Sequence, residues 1–131
     1  MHVSVVSVPV SDQEASKRFY THQVGFDLLF ESRFGDDQSW IQVGPADGPT
    51  SLALVTWFDE MPAGSLRGLV IDCDDIQASY EAMRDRGVRF LSPPDQQAGG
   101  IFAAFADPDG NVLSLRQSGS SIGEAEGLVR K

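Results

Sequence analysis

Cysteine is almost absent from this chain: Cys73 is the only one in 131 residues. A single thiol excludes an internal disulfide and any cysteine metal cluster. Histidine is nearly as scarce, with only His2 and His22. Cations are few as well, 10 Lys and Arg against 19 Asp and Glu, for a net charge of −9. That balance speaks against nucleic acid, whose binding depends on neutralised phosphates. It suits a cationic partner, or serves solubility alone. Long hydrophobic runs are missing too, so no segment can span a bilayer and no membrane partner is expected. No charged-then-apolar leader opens the sequence, and the cytoplasm is the expected compartment.

What is present is an ordinary globular composition, 41% hydrophobic and 22% charged, with enough chain for one domain with a real core. Residues 2–10 alternate at period two and predict a strand, with Val6, Val8 and Val10 on the face that meets a helix. Pro9 removes a ladder donor, which places this strand near a sheet edge. Ser11 followed by Glu14 reads as a capping box. Ala15, Phe19 and His22 with Ser16, Tyr20 and Val24 form a stripe that ends at Gly25. Strands follow over residues 26–34, 39–44 and 50–56.

The plan then returns. Residues 67–73 predict a strand, and Asp74 and Gln77 repeat Ser11 and Glu14 at an offset of 63. A helix with Ile76, Tyr80 and Met83 on its apolar stripe ends at Gly87. Strands follow over 88–91, 101–106 and 111–117, with a polar loop over 92–100 and a tight turn at Asp107-Pro108-Asp109-Gly110. The expected organisation is one α+β domain over residues 1–117, built from two βαβββ modules. Module one covers 1–57, a connector 58–66, and module two 67–117. Residues 118–131 are expected to form a loose tail.

A sheet with a helix on one side leaves its other face bare. Two such mixed sheets, curved side by side with helices outside, would line a concave cavity suited to a small molecule. Alternation places Ser7, Asp72, Ser114 and Arg116 on the bare faces, among small apolar groups such as Val5, Ala53 and Val70. Trp40 and Gln42 share a face with each other, taken to be the same one. Phe102 or Phe105 contributes according to register, and Phe102 is the candidate. Trp57 and Phe58 are apolar for a connector, so they should pack down on the core or on a ligand. Trp40 can stack on a flat or cationic molecule. Asp72 and Arg116 can each pair with ligand charge, or with each other, since buried charges need partners. No nucleophile stands beside a base, so no catalytic residue is assigned.

The stretch VSVPVSDQEASKRFYTHQVGF resembles the opening of the vicinal oxygen chelate superfamily, which includes glyoxalase I, bleomycin-resistance proteins and extradiol dioxygenases. FADPDGNVLSL resembles its closing strand pair. The resemblance covers residues 3–117 and implies the fold just described, often as a homodimer. In metal-dependent relatives His, Gln or Glu ligands project from the first and last strands of each module. Those positions fall here on Val5, Ala53, Gly68 and Ser114. Valine, alanine, glycine and serine cannot replace those ligands. His2 and Cys73 point to the opposite face, His22 lies on the helix, and Asp72 alone does not make a transition-metal site.

Neither a metal nor any other cofactor is therefore expected. The resemblance implies a binding protein that sequesters an apolar or cationic molecule such as an antibiotic. The expected ligand-binding residues are Ser7, Trp40, Gln42, Trp57, Asp72, Phe102, Ser114 and Arg116. The competing reading is a lyase- or isomerase-type enzyme of the same superfamily. It would be metal-free with Asp72 or Arg116 as the working group, or else metal-dependent through other ligands.

Overall fold

The computed structural model describes residues 1–118. The expected tail lies, apart from Ser118, outside the described residues. The chain divides into two compact units. Unit one comprises residues 1–67 together with Asp107–Asn111, and unit two comprises 68–106 and 112–118. Among the described residues each has one α-helix and a mixed sheet. No helix among the described residues is long and apolar enough to cross a membrane.

Unit one runs β1 (Val5–Pro9), α1 (Gln13–Arg18), a π-helical turn (Phe19–Val24), β2 (Asp27–Arg33), β3 (Ser39–Gly44) and β4 (Ser51–Val55). The sheet order is β1-β4-β3-β2, with β1 parallel to β4 and the other pairs antiparallel. Pro9 does lie on an edge strand. Val8, Ile41, Val43 and Leu54 are fully buried on one face, and Phe19, Tyr20 and Val24 are buried with them.

Two local expectations are corrected. The cap is Asp12 and not Ser11. Asp12 has extended backbone, and its Oδ1 accepts from Ala15 N at 3.1 Å. A carboxylate is the stronger acceptor for an orphan helix N–H. The Ser11 hydroxyl is engaged elsewhere, donating to Asp109 Oδ1 at 2.5 Å. The α-helix also stops after six residues and continues as the π-helical turn. Its wider i→i+5 bonding carries Val24 round to the buried side and leaves His22 exposed, off the predicted stripe.

Gln13 fastens α1 to the sheet. Its Nε2 donates to Ser39 O and Leu54 O, both at 2.7 Å, and its Oε1 accepts from Ser39 N at 3.1 Å. One amide thus links the start of β3 to the end of β4, beyond the last paired residues of the β3–β4 ladder.

The Asp-Pro-Asp-Gly-Asn turn forms part of this unit's core. Asp107 is buried and accepts four hydrogen bonds. They come from Asp109 N and Asn111 N at 2.9 Å, and from Tyr20 Oη and Asn111 Nδ2 at 2.8 Å. Asn111 in turn donates to Pro9 O at 2.8 Å and accepts from Leu66 N at 2.9 Å.

Unit two runs β5 (Leu69–Asp72), α2 (Ile76–Asp85), β6 (Arg89–Phe90), β7 (Asp95–Gln97), β8 (Gly100–Ala106) and β9 (Val112–Gln117). The order is β5-β9-β8-β6, with β7 also on β8 and β5 parallel to β9. The helix cap is again one residue later than predicted. Asp75, not Asp74, accepts from Ala78 N at 3.1 Å, so the offset of 63 from Asp12 is kept. The predicted loop over 92–100 contains β7, whose Asp-Gln-Gln sequence has no apolar signal because all three residues are exposed. Leu113, Leu115, Ala103 and Phe105 are buried on one face. Tyr80, Phe90 and Phe105 meet there in series, the first pair edge-on and the second tilted, with ring centroids 4.7 and 5.6 Å apart.

Candidate functional site

In unit one, strand register decides which side chains share the face away from α1. Ser7 pairs with Ala53, Ala53 with Gln42, and Gln42 with Phe30, so these four form one row across the sheet. Trp40 stands two residues along β3, opposite Ser32. The predicted candidates Ser7, Trp40 and Gln42 therefore lie on one face.

Trp57 joins them from just beyond β4. Its ring stacks on Trp40 with centroids 6.1 Å apart and planes 28° apart. Phe34 meets Trp57 edge-on at 5.0 Å, and Phe58 is 6.2 Å away. Phe34 and Phe58 keep 52% and 45% of their surface exposed, too much for rings whose only role is core packing. Both tryptophans of the chain are thus in one aromatic cluster with two open neighbours. Sequence reasoning missed Phe34, whose place at the end of a strand gave no hint of its contact with Trp57.

Gln42 is tied into the same group. Trp40 Nε1 donates to Gln42 Oε1 at 2.6 Å, and Gln42 Nε2 donates to Ser51 Oγ at 2.9 Å. Trp40 and Gln42 are half-buried and Ser51 is buried.

In unit two, Asp72 pairs with Arg116, and Arg116 with Phe102. Val70, Ser114 and Ala104 form the next row. Asp72, Phe102, Ser114 and Arg116 therefore also share a face, and Phe105 falls on the buried one. Asp72 and Arg116 pair with each other: Arg116 Nε to Oδ1 at 2.7 Å and Nη2 to Oδ2 at 3.1 Å. The bonds to Asp72 hold the Arg116 guanidinium above its ordinary value. Each carboxylate oxygen of Asp72 thus accepts one bond from Arg116. Burial pushes the Cys73 thiol up, so it is a weak nucleophile.

Two polar grooves accompany these faces. One in unit one, about 480 Å³, is lined by Asp12, Glu14, Arg33, Asp36, Asp37 and neighbours beside the start of α1. One in unit two, about 350 Å³, is lined by Asp72, Cys73, Asp74, Gln117 and Ser118. Nothing in the spacing points to the first, because its walls come from segments far apart in the chain, the start of α1, the β2–β3 turn and the end of β4.

The metal positions implied by the resemblance do not fit a metal. Val5 and Ala53 stand on β1 and β4, Ser114 on β9, and Gly68 just before β5. Val, Ala and Gly offer no side-chain donor. Among the described residues no three His, Cys, Asp or Glu gather as a metal site.

The profile of the glyoxalase/bleomycin resistance protein/dioxygenase superfamily matches residues 2–115. The chain belongs to this superfamily. It is 48% identical to TnmS3, an antibiotic binding protein from Streptomyces sp. CB03234, whose crystal structure superposes with a TM-score of 0.84 over 90% of this chain and 96% of that one. A glyoxalase/bleomycin resistance protein from the same organism is 47% identical, with a TM-score of 0.80 over 88% and 100% of the two chains. The uncharacterised protein YetH of Bacillus subtilis (strain 168) is 37% identical over 88% of this chain and 97% of its own. The α+β architecture of two units, each with one helix and a mixed sheet, is that of the glyoxalase/bleomycin-resistance fold.

Proposed function

We propose that this chain binds and sequesters a flat, apolar or cationic small molecule of the antibiotic class, without a metal. The observation that carries the reading is the Trp40–Trp57 stack with Phe34 and Phe58 open beside it. Exposed aromatic faces attract planar rings and cations. The net charge of −9 favours a cation in the encounter. The likeness to an antibiotic binding protein points the same way, and so does the poor fit of Val5, Ala53, Gly68 and Ser114 to a metal. The reading extends to a homodimer, supported by the exposed apolar run Leu28, Leu29 and Phe30 on edge strand β2.

Proflavine, a planar cation, tests the reading. Titration should quench the tryptophan emission, return proflavine chemically unchanged, and be weakened at least tenfold by Trp40→Ala with little change in the melting temperature. Equal affinity in Trp40→Ala and parent, or conversion of the probe, overturns it.

A further inference from the structure

The Gln42 amide has its orientation settled by chemistry. An indole N–H can only donate, so the atom 2.6 Å from Trp40 Nε1 is the amide oxygen, and Nε2 faces Ser51. A primary amide has two N–H donors and an oxygen with two lone pairs. Trp40 uses one lone pair and Ser51 one N–H. One donor and one acceptor remain, on a side chain that is half-buried and already fixed in place.

The cross-strand neighbours do not use them. Gln42 is flanked by Phe30 on β2 and Ala53 on β4, which carry no polar side-chain group. The same amide meets the edge of the Trp40 ring at Nε1, and Trp40 stacks on Trp57, the centre of the aromatic cluster. A molecule stacked at Trp40 and Trp57 would bring its edge toward Gln42. Fixed polar groups beside an apolar surface are what give such sites their selectivity.

We propose that Gln42 reads a paired donor and acceptor, an amide or lactam edge, on the planar molecule held at Trp40 and Trp57. Trp40 has a second role as a positioning residue, because its indole N–H holds the amide in the reading orientation. The inference rests on the binding role proposed above and narrows the ligand class to planar rings with an edge lactam.

The test compares 6(5H)-phenanthridinone, a planar tricyclic lactam, with phenanthridine, the same skeleton without the lactam group. Isothermal titration calorimetry gives each affinity. The parent should prefer the lactam by about tenfold, as expected for two net hydrogen bonds. Gln42→Leu should bring the ratio to near one. Trp40→Phe keeps an aromatic face but loses the N–H, and Ser51→Ala loses the second tether; each should reduce the preference to about threefold. The ratio is taken within each variant, so a general loss of folded protein cancels. Equal binding of both probes by the parent, or an unchanged ratio in Gln42→Leu, overturns the inference and leaves the binding role standing. Failure of both probes to bind overturns the inference, and the proflavine titration then decides separately whether the binding role stands.

Discussion

The Tyr20 hydroxyl donates to Asp107 Oδ2 at 2.8 Å across 87 residues of sequence. Both groups are buried, and the bond ties the π-helical turn to the Asp-Pro-Asp-Gly-Asn turn. Tyr20→Phe removes one of four donors to a buried carboxylate. It should cost about 1–3 kcal/mol in urea unfolding, the range for an under-satisfied buried group.

The same bond sets a pH dependence. Burial, and then the Asp107 charge, raise the Tyr20 pKa above its ordinary value of 10.0. The folded state therefore keeps a proton that the unfolded chain releases above that pH. Stability from this group is intact below pH 10 and falls as pH rises beyond it, by about 1.4 kcal/mol per pH unit. Urea midpoints measured from pH 9 to 11 should decline less steeply in Tyr20→Phe than in the parent.

Gln13→Leu keeps the bulk of the side chain but removes all three bonds to Ser39 and Leu54. Part-buried backbone groups at two strand ends lose their partner, with an expected cost of about 2 kcal/mol in chemical denaturation. Hydrogen exchange should rise first at Ser39.

Asp72→Asn should change stability by less than about 1 kcal/mol, although the pair with Arg116 is bidentate. The Arg116 and Asp72 side chains remain 34% and 61% exposed, so solvent screens the attraction. A loss much above that in thermal melting would assign the pair a structural role that its exposure does not support.

Gly64→Ala should be the most damaging single methyl in unit one. Gly64 has φ +87°, and a Cβ there would run into the Asp109 carbonyl oxygen. Gly110 has φ +93° but nothing within 4 Å of its Cβ position. Gly110→Ala should cost only the backbone term, about 1–2 kcal/mol, and Gly64→Ala clearly more by urea titration.

The fold was legible because each unit announces itself by alternation, a helical stripe and a terminating glycine. Gly25 and Gly87 end their helices where the spacing placed them. What the pattern could not resolve was competition between neighbours. Ser11 and Asp12 are both good caps, and only the presence of Asp109, distant in sequence, shows why Ser11 is taken. The π-helical turn has the same apolar letters as an α-helix, so periodicity alone counted His22 in the stripe, although it is exposed. The shared face of Trp40 and Gln42 followed from strand parity, and the pairing of Ser7 with Ala53 and Ala53 with Gln42 puts Ser7 on it. The partners of those side chains did not follow from parity. Neither the Trp40–Gln42–Ser51 chain of hydrogen bonds nor the contact of Phe34 with Trp57 has any signature in spacing.

Because Asp107–Asn111 completes unit one, synthesis and folding are out of step. Forty residues separate Arg67 from Asp107, roughly two to eight seconds of elongation at typical ribosomal speeds. Through that interval Pro9 and Tyr20 wait for mates not yet made, while β2 offers Leu28, Leu29 and Phe30 along an unguarded edge.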